Sequence, residues 1–361
     1  MEIGSIFEID VEDLFKEGNN EFYLPFMDKR DYIYNKFFNT GRSAIEYLLR
    51  EVISPKNDFK ILLPAFTCSS IIDAVNRAGL NYEFYSITDE FQIDIKSIEK
   101  KLDDKLKIIY IIQYFGGYQN QESYDFLKKV QSENIIIIED ITHSLYTKHP
   151  KFIGFGDYVL GSLRKWLPIP DGAFLCSTNL IPDLLIEDSF NGYSFNYFVA
   201  QVMKGTYLHN TDLNKNQFLR LNQQAMESLF SDYMIRNMTS VSQRYLSSYN
   251  MESLIEQRVK NYDYLVEKTK KLSFIKPIFV RQKGQVPFGF VVLCDQRDKV
   301  FKYLIDNDIY CNIHWKLTHD CSNTDEVSEK LSKKILTIPC DQRYGKKEMD
   351  YIIHVLETYD E

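Results

Sequence analysis

Ile135-Ile136-Ile137-Ile138-Glu139-Asp140-Ile141-Thr142-His143 is the stretch from which the topology can be read, and about one βα unit later it is answered by Gly156-Asp157-Tyr158-Val159-Leu160-Gly161-Ser162-Leu163-Arg164-Lys165 and Pro168-Ile169-Pro170-Asp171-Gly172-Ala173. Four consecutive isoleucines are β-branched throughout and too short a run for a helix. They fit a central parallel strand covered on both faces. Asp140 then sits at that strand's carboxyl end, the edge where ligands bind in open α/β sheets. The next strand delivers Lys165 to the same edge.

Upstream of this stretch, Lys60 to Pro64, Tyr82 to Ser86 and Lys107 to Ile112 read as further short apolar strands. With those near 135 and 157, they alternate with helices at Ile71 to Ala78 and from Asp94-Ile95 to near Leu102. This is the βαβα order of a largely parallel sheet. At Thr40-Gly41-Arg42-Ser43-Ala44-Ile45-Glu46 a helix starts, with Ser43 and Glu46 spaced as a capping box. A helix start after Gly41 leaves backbone N–H groups able to hold a phosphate. Residues before it give only a polar, aromatic lead-in. No G-x-G-x-x-G opens a helix after the first strand and no G-x-x-x-x-G-K-[ST] occurs, so dinucleotide and P-loop readings lose their support.

From about Ile181 to Tyr249 the chain is polar and aromatic with helical spacing, an elaboration that covers the site mouth or packs on a second subunit. A long helix from Ile255 to Lys271 follows, and the charges of Arg258-Val259-Lys260-Asn261-Tyr262 read as a solvated face. Gly289 to Leu293 and Ile335 to Ile338 are strands, with helices near Lys299 to Ile305 and Lys346 to Leu356. The expected division is therefore a large domain over 1–248, including the helical elaboration at about 181–248, and a small C-terminal α/β domain over 249–361.

At 361 residues with 44% hydrophobic content, the chain can bury two cores. A net charge of −8 argues against nucleic acid or an anionic membrane as partner. The start Met1-Glu2-Ile3-Gly4-Ser5 lacks a basic region followed by an apolar stretch, and no apolar run is long enough to span a bilayer. Six scattered cysteines without a C-x-x-C pair suit reduced thiols, so the expected location is cytoplasmic. His314, His319 and Cys321 are close in sequence but lack a second cluster, and no metal is assigned.

Asp140 with His143 three residues on, then Ser162-x-x-Lys165 and the Asp171-Gly172-Ala173 turn, resemble the fold-type I pyridoxal phosphate (PLP) enzymes, and among them the DegT/DnrJ/EryC1/StrS sugar aminotransferases. The chemistry fits such a pair. A lysine must lose its proton to form a Schiff base, which a desolvated site favours, and a carboxylate against a pyridine nitrogen lets the ring act as an electron sink.

The resemblance implies an aspartate aminotransferase-like fold with a mostly parallel sheet of the seven-stranded type. It implies Lys165 as the Schiff-base lysine, Asp140 as partner of the ring nitrogen, His143 against the ring or its phenolic oxygen, and Ser162 with Gly41, Arg42 and Ser43 on the phosphate. Pro64-Ala65-Phe66-Thr67 matches the family's Pro-x-x-Thr, whose next residue is commonly an aromatic stacked on the ring. Cys68 stands there instead, leaving the stacking to Phe66 or His143. Ile235-Arg236-Asn237-Met238-Thr239 is similar to a segment whose asparagine reaches the neighbouring subunit's cofactor phosphate, with the order of Asn and Arg altered. Ile309 to Trp315 corresponds to the segment beside the substrate and brings in His314. Arg164 serves phosphate, substrate carboxylate or a structural ion pair.

The implied activity is transfer of an amino group from an amino acid such as glutamate to a nucleotide-linked keto sugar, by a homodimer, in surface-polysaccharide or secondary-metabolite biosynthesis. Alternatives are a PLP enzyme acting on a non-sugar carbonyl or as a dehydratase, and a non-catalytic binding or regulatory protein.

Overall fold

The computed structural model describes residues 2–15, 24, 27, 34–53, 59–182, 190–209, 213–232, 234–317 and 325–359. In chain order, the first part comprises β1 (Ile3–Gly4), β2 (Tyr34–Phe38), α1 (Gly41–Tyr47), β3 (Lys60–Pro64), α2 (Ser69–Arg77), β4 (Asn81–Tyr85), α3 (Ile95–Glu99), β5 (Leu106–Ile112), α4 (Gln121–Ser132), β6 (Ile136–Asp140), β7 (Tyr158–Ser162) and β8 (Ala173–Ser177). Then come α5 (Gly192–His209), α6 (Lys215–Ser231), α7 (Ser240–Ser248) and α8 (Met251–Thr269). The last part holds β9 (Ile275–Pro277), β10 (Phe290–Cys294), α9 (Arg297–Asp306), β11 (Ile309–Tyr310), α10 (Glu326–Lys334), β12 (Ile335–Ile338) and α11 (Lys346–Glu357).

Seven strands form the main sheet in the order β2-β8-β7-β6-β5-β3-β4. The pairs β4–β3, β3–β5, β5–β6 and β6–β7 are parallel. β8 is antiparallel to both β7 and β2, so β8 alone runs against the rest. The central strands are buried on both faces, as their unbroken β-branched runs require: Ile108 to Ile111, Ile137 and Ile138 are solvent-free. β2 and β8 were not legible as strands; β8 follows a glycine turn, Gly172 at φ +137°, which reverses the chain.

A second core lies under a three-stranded sheet, β12-β10-β9, packed with α8, α9 and α11 residues such as Leu265, Val300, Leu304, Ile352 and Leu356. The chain's first residues join this core. β1 pairs with β11, and Ile3 is fully buried there.

Several expectations are corrected. The capping box is not Ser43 with Glu46: Thr40 is the N-cap, its hydroxyl accepting from Ser43 N at 3.0 Å, which puts Glu46 beyond the N3 position. Glu46 instead pairs with Arg50 at 2.8 Å and faces Arg77 at 3.8 Å. Lys165 lies in a 3₁₀ turn, Leu163–Lys165, rather than in the strand ending at Ser162. The third helix stops at Glu99. Arg258 is not on a solvated face: it is 1% exposed, stacked over Trp166 at 4.4 Å, and donates to Gln342 Oε1 at 2.7 Å and Phe288 O at 2.8 Å. Its partners come from segments far away in sequence, which helical periodicity does not reveal.

Candidate active site

Because β2, β3, β5, β6 and β7 all end at one edge, Thr40, Cys68, Ile112, Asp140 and Ser162 meet there around a cleft of about 660 Å³, counting its open mouth. Lys165, Arg164, Arg42, Gly41 and His143 line the same cleft. Most of the sequence-predicted site is thus brought together. Ser43 faces away along the first turn of α1, where its hydroxyl meets that of Thr40 at 3.0 Å. Phe66 does not line the cleft; it is fully buried, its ring among those of Phe91, Tyr114 and Trp315. His314 stands behind His143, ring centroids 5.4 Å apart. Asn237 bridges the backbone of Phe38 on the outer strand β2 and does not line its own chain's cleft. His319 and Cys321 lie outside the described residues; among those described, no cluster of three His, Cys, Asp or Glu is placed to hold a metal.

Adjacent acids in β6 point to opposite sides, as strand alternation demands. Glu139 is buried and accepts from Gln113 Nε2 at 2.8 Å and from the N–H groups of Gly154, Phe155 and Gly156 at 3.1, 2.7 and 2.9 Å. Burial raises its pKa against those hydrogen bonds, and it anchors the loop into β7. Asp140 faces the cleft. Tyr110 OH donates to its Oδ2 and Thr142 N to its Oδ1, both at 2.8 Å, fixing the carboxylate plane. Burial and the Asp140 charge push the Tyr110 phenol well up, so it remains a donor.

Lys165 is half-buried opposite Asp140, and burial holds its pKa below the ordinary lysine range despite the opposing pull of Cys68 and Asp140. His143 is held well below the usual histidine range by burial and then by Lys165, and His314 is lowered to about 3 for the same two reasons. Both imidazoles are therefore neutral near pH 7. The turn carrying Lys165 is pinned by Leu163 N to Gly172 O at 2.9 Å and by Trp166 Nε1 to Thr142 O at 2.6 Å.

The sequence reading missed Thr40, Tyr110, Thr142, Leu229 and the tyrosines of α5, and reached Trp315 only as the end of the segment from Ile309. Tyr193 and Tyr197 lie under the Arg164 guanidinium at 5.6 and 5.9 Å, and Arg42 donates to Leu229 O at 3.1 Å at the end of α6. The α5–α6 hairpin thus covers the cleft of its own chain, one of the two placements its composition left open. Only Thr40 had a local signal, a threonine three residues before Ser43.

The residues present suit PLP. α1 begins against Ser162: a Cβ at Gly41 would meet the Ser162 Cβ at 3.8 Å, ordinary contact distance. Arg42 Nε and both ring nitrogens of His143 are buried without a hydrogen-bond partner among the described residues. Donors for a phosphate, a carboxylate for a ring nitrogen and a lysine biased toward its neutral form thus share one cleft, and the group fits.

Residues 30–157 match the family model of the DegT/DnrJ/EryC1/StrS aminotransferase family. A curated relative, the histidinol-phosphate aminotransferase of Buchnera aphidicola, is 24% identical over 257 residues, 67% of this chain; the match spans 64% of that protein's length. Among solved structures, PseC of Helicobacter pylori, an aminotransferase of pseudoaminic acid biosynthesis, superposes with a TM-score of 0.70 at 15% identity, covering 99% of this chain and 98% of the other. Spr1654 of Streptococcus pneumoniae in its PMP form gives 0.69 at 16% identity, covering 99% and 97%. Its PLP form gives 0.67 at 17% identity, covering 99% and 98%. Residues 30–157 thus match the DegT/DnrJ/EryC1/StrS aminotransferase family, and the chain as a whole shares its fold with solved aminotransferases that include PLP and PMP forms.

Proposed function

We propose that this chain aminates a nucleotide-linked keto sugar, with an amino acid such as glutamate as donor, in the cytoplasm and as a homodimer. One observation carries the reading: Lys165 and Asp140 share a single cleft whose rim bears the Thr40-Gly41-Arg42 turn and Ser162. PLP supplies, when bound, a carbonyl carbon and an electron-withdrawing ring. In this reading Lys165 Nζ, inclined to neutrality by burial, attaches the cofactor and takes and returns a proton at substrate carbon. Asp140, its two oxygens oriented by Tyr110 and Thr142, faces the ring nitrogen. Gly41, Arg42 and Ser162 serve the phosphate, and neutral His143 offers a ring nitrogen to the phenolic oxygen. Arg164, held over two tyrosines, is placed to receive a substrate carboxylate. The family match and the fold shared with PseC support a sugar acceptor.

A second reading, transamination of a non-sugar carbonyl, draws support from the histidinol-phosphate aminotransferase relative. A purely binding role leaves Lys165 without a purpose. The test has two parts. Borohydride reduction of protein mixed with PLP should leave the cofactor fixed on Lys165, and Lys165→Ala should abolish this; a wild type that traps none overturns these cofactor roles. A screen of nucleotide-linked keto sugars against imidazole-acetol phosphate, with glutamate as donor, then decides between the two acceptors. Asp140→Asn should lower turnover by orders of magnitude while leaving the fold intact.

A further inference from the structure

We propose that Trp315, from the segment after β11, supplies the aromatic face against which the cofactor's ring packs. The inference rests on the PLP reading of the cleft. Position 68, where the resemblance leads one to expect an aromatic side chain, carries Cys68, which lines the cleft but has no flat face. Phe66 is sealed in the core. Among the described residues lining the cleft, Trp315 is the one with a carbocyclic ring.

Its position is built rather than incidental. The indole lies nearly parallel to the His143 imidazole, with centroids 5.1 Å apart and planes 21° apart, and Phe66 backs it at 5.5 Å. Trp315 is half-buried, whereas Phe66, Tyr114, Phe115 and His143 in the same cluster are buried; of these five, only Trp315 and His143 line the cleft, and Trp315 is the more open of the two. The backbone beneath it is clamped. Ser332 Oγ on α10 donates to Trp315 O at 2.8 Å and accepts from Leu317 N at 3.1 Å. Asn312 and Thr337 exchange two backbone hydrogen bonds at 3.0 and 2.8 Å, and His314 Nδ1 lies 3.0 Å from Thr337 Oγ1. A ring so held needs little ordering when a ligand arrives. Indole is also the most electron-rich natural aromatic face, and a protonated pyridine is electron-poor and flat, the pairing in which stacking is strongest.

The experiment measures the PLP dissociation constant by equilibrium dialysis for wild type, Trp315→Phe and Trp315→Leu, with circular dichroism in the cofactor's visible band. Leucine keeps apolar bulk and removes the ring face; phenylalanine keeps the face. The leucine variant should bind PLP about tenfold more weakly and lose most of the visible dichroism, while the phenylalanine variant stays within about threefold of wild type. A leucine variant as tight as wild type overturns the inference, as does a phenylalanine variant as weak as leucine, which would mark Trp315 as a packing residue. Should leucine fail to fold, Trp315→Met takes its place under the same criteria. Borohydride trapping on Lys165 in the wild type separates this failure from failure of the cofactor reading, since trapping persists in the first case and is absent in the second.

Discussion

Asp171 shows how one residue can matter to the site without lining it. It is fully buried, accepts from Thr239 Oγ1 at 2.8 Å and Ser242 Oγ at 2.5 Å, and so ties the turn after Lys165 to the start of α7. Burial raises its pKa to about 6, against the pull of those donors. A carboxyl whose folded pKa exceeds its unfolded value gives its full stabilisation below the unfolded pKa and loses it as pH rises toward the folded one. Wild type should therefore lose about 3 kcal/mol relative to Asp171→Asn between roughly pH 4 and pH 6, and nothing further above that. Urea unfolding of both proteins across this range reads the difference directly. A gap that does not change with pH would mean that Asp171 is ionised throughout.

Among the elements, α5 is the one whose packing reaches furthest. Its buried face runs Tyr193, Tyr197, Gln201, Lys204 and Gly205, from Arg164 in the cleft to the chain's first residues. Lys204 Nζ donates to Gly4 O, Ile6 O and Glu8 Oε2 at 3.1, 2.6 and 2.9 Å, and Arg343 reaches the same Glu8 oxygen at 3.1 Å. Gly205 permits this contact, because a Cβ there would stand 2.5 Å from the carbonyl oxygen of Ile9. Backbone cannot yield as a side-chain tip can. Gly205→Ala should thus destabilise by about 1–3 kcal/mol through overpacking, despite gaining up to about 1 kcal/mol in helix propensity. A variant as stable as wild type in urea would show that the N-terminal segment moves aside freely. These long-range ties are also what the sequence concealed. The isoleucine run of β6 announces a buried strand, and Asp140 and Lys165 follow from its ends. Arg258, Lys204 and Tyr193, by contrast, have polar or amphipathic side chains, and their burial depends on partners up to some two hundred residues away. Trp315 is legible only as the end of the segment from Ile309; its orientation is set by Ser332 and Thr337, which local pattern does not connect to it.

Two copies of the chain can be expected to share their sites, on grounds that only the molecule taken entire supplies. Seven of the eleven exposed large apolar side chains among the described residues lie between 180 and 234, namely Leu180, Phe190, Phe195, Leu208, Leu219, Phe230 and Met234. A segment with so many exposed apolar side chains suits coverage by a second copy about a two-fold axis. Asn237 lies beside the sheet's outer strand β2, where it can serve a neighbour rather than its own cleft. The hairpin's own contacts with Arg42 and Arg164 complete part of the pocket within one chain, and Asn237 is the residue to test for a shared contribution. If it makes one, Lys165→Ala and Asn237→Ala should each be inactive alone. A 1:1 mixture after subunit exchange should recover about a quarter of wild-type activity, since half the dimers are mixed and one site in each is intact. Light scattering that shows a monomer at the assay concentration would remove the dimer. A dimer that recovers nothing would leave the assembly standing and return Asn237 to a structural role at the edge of β2.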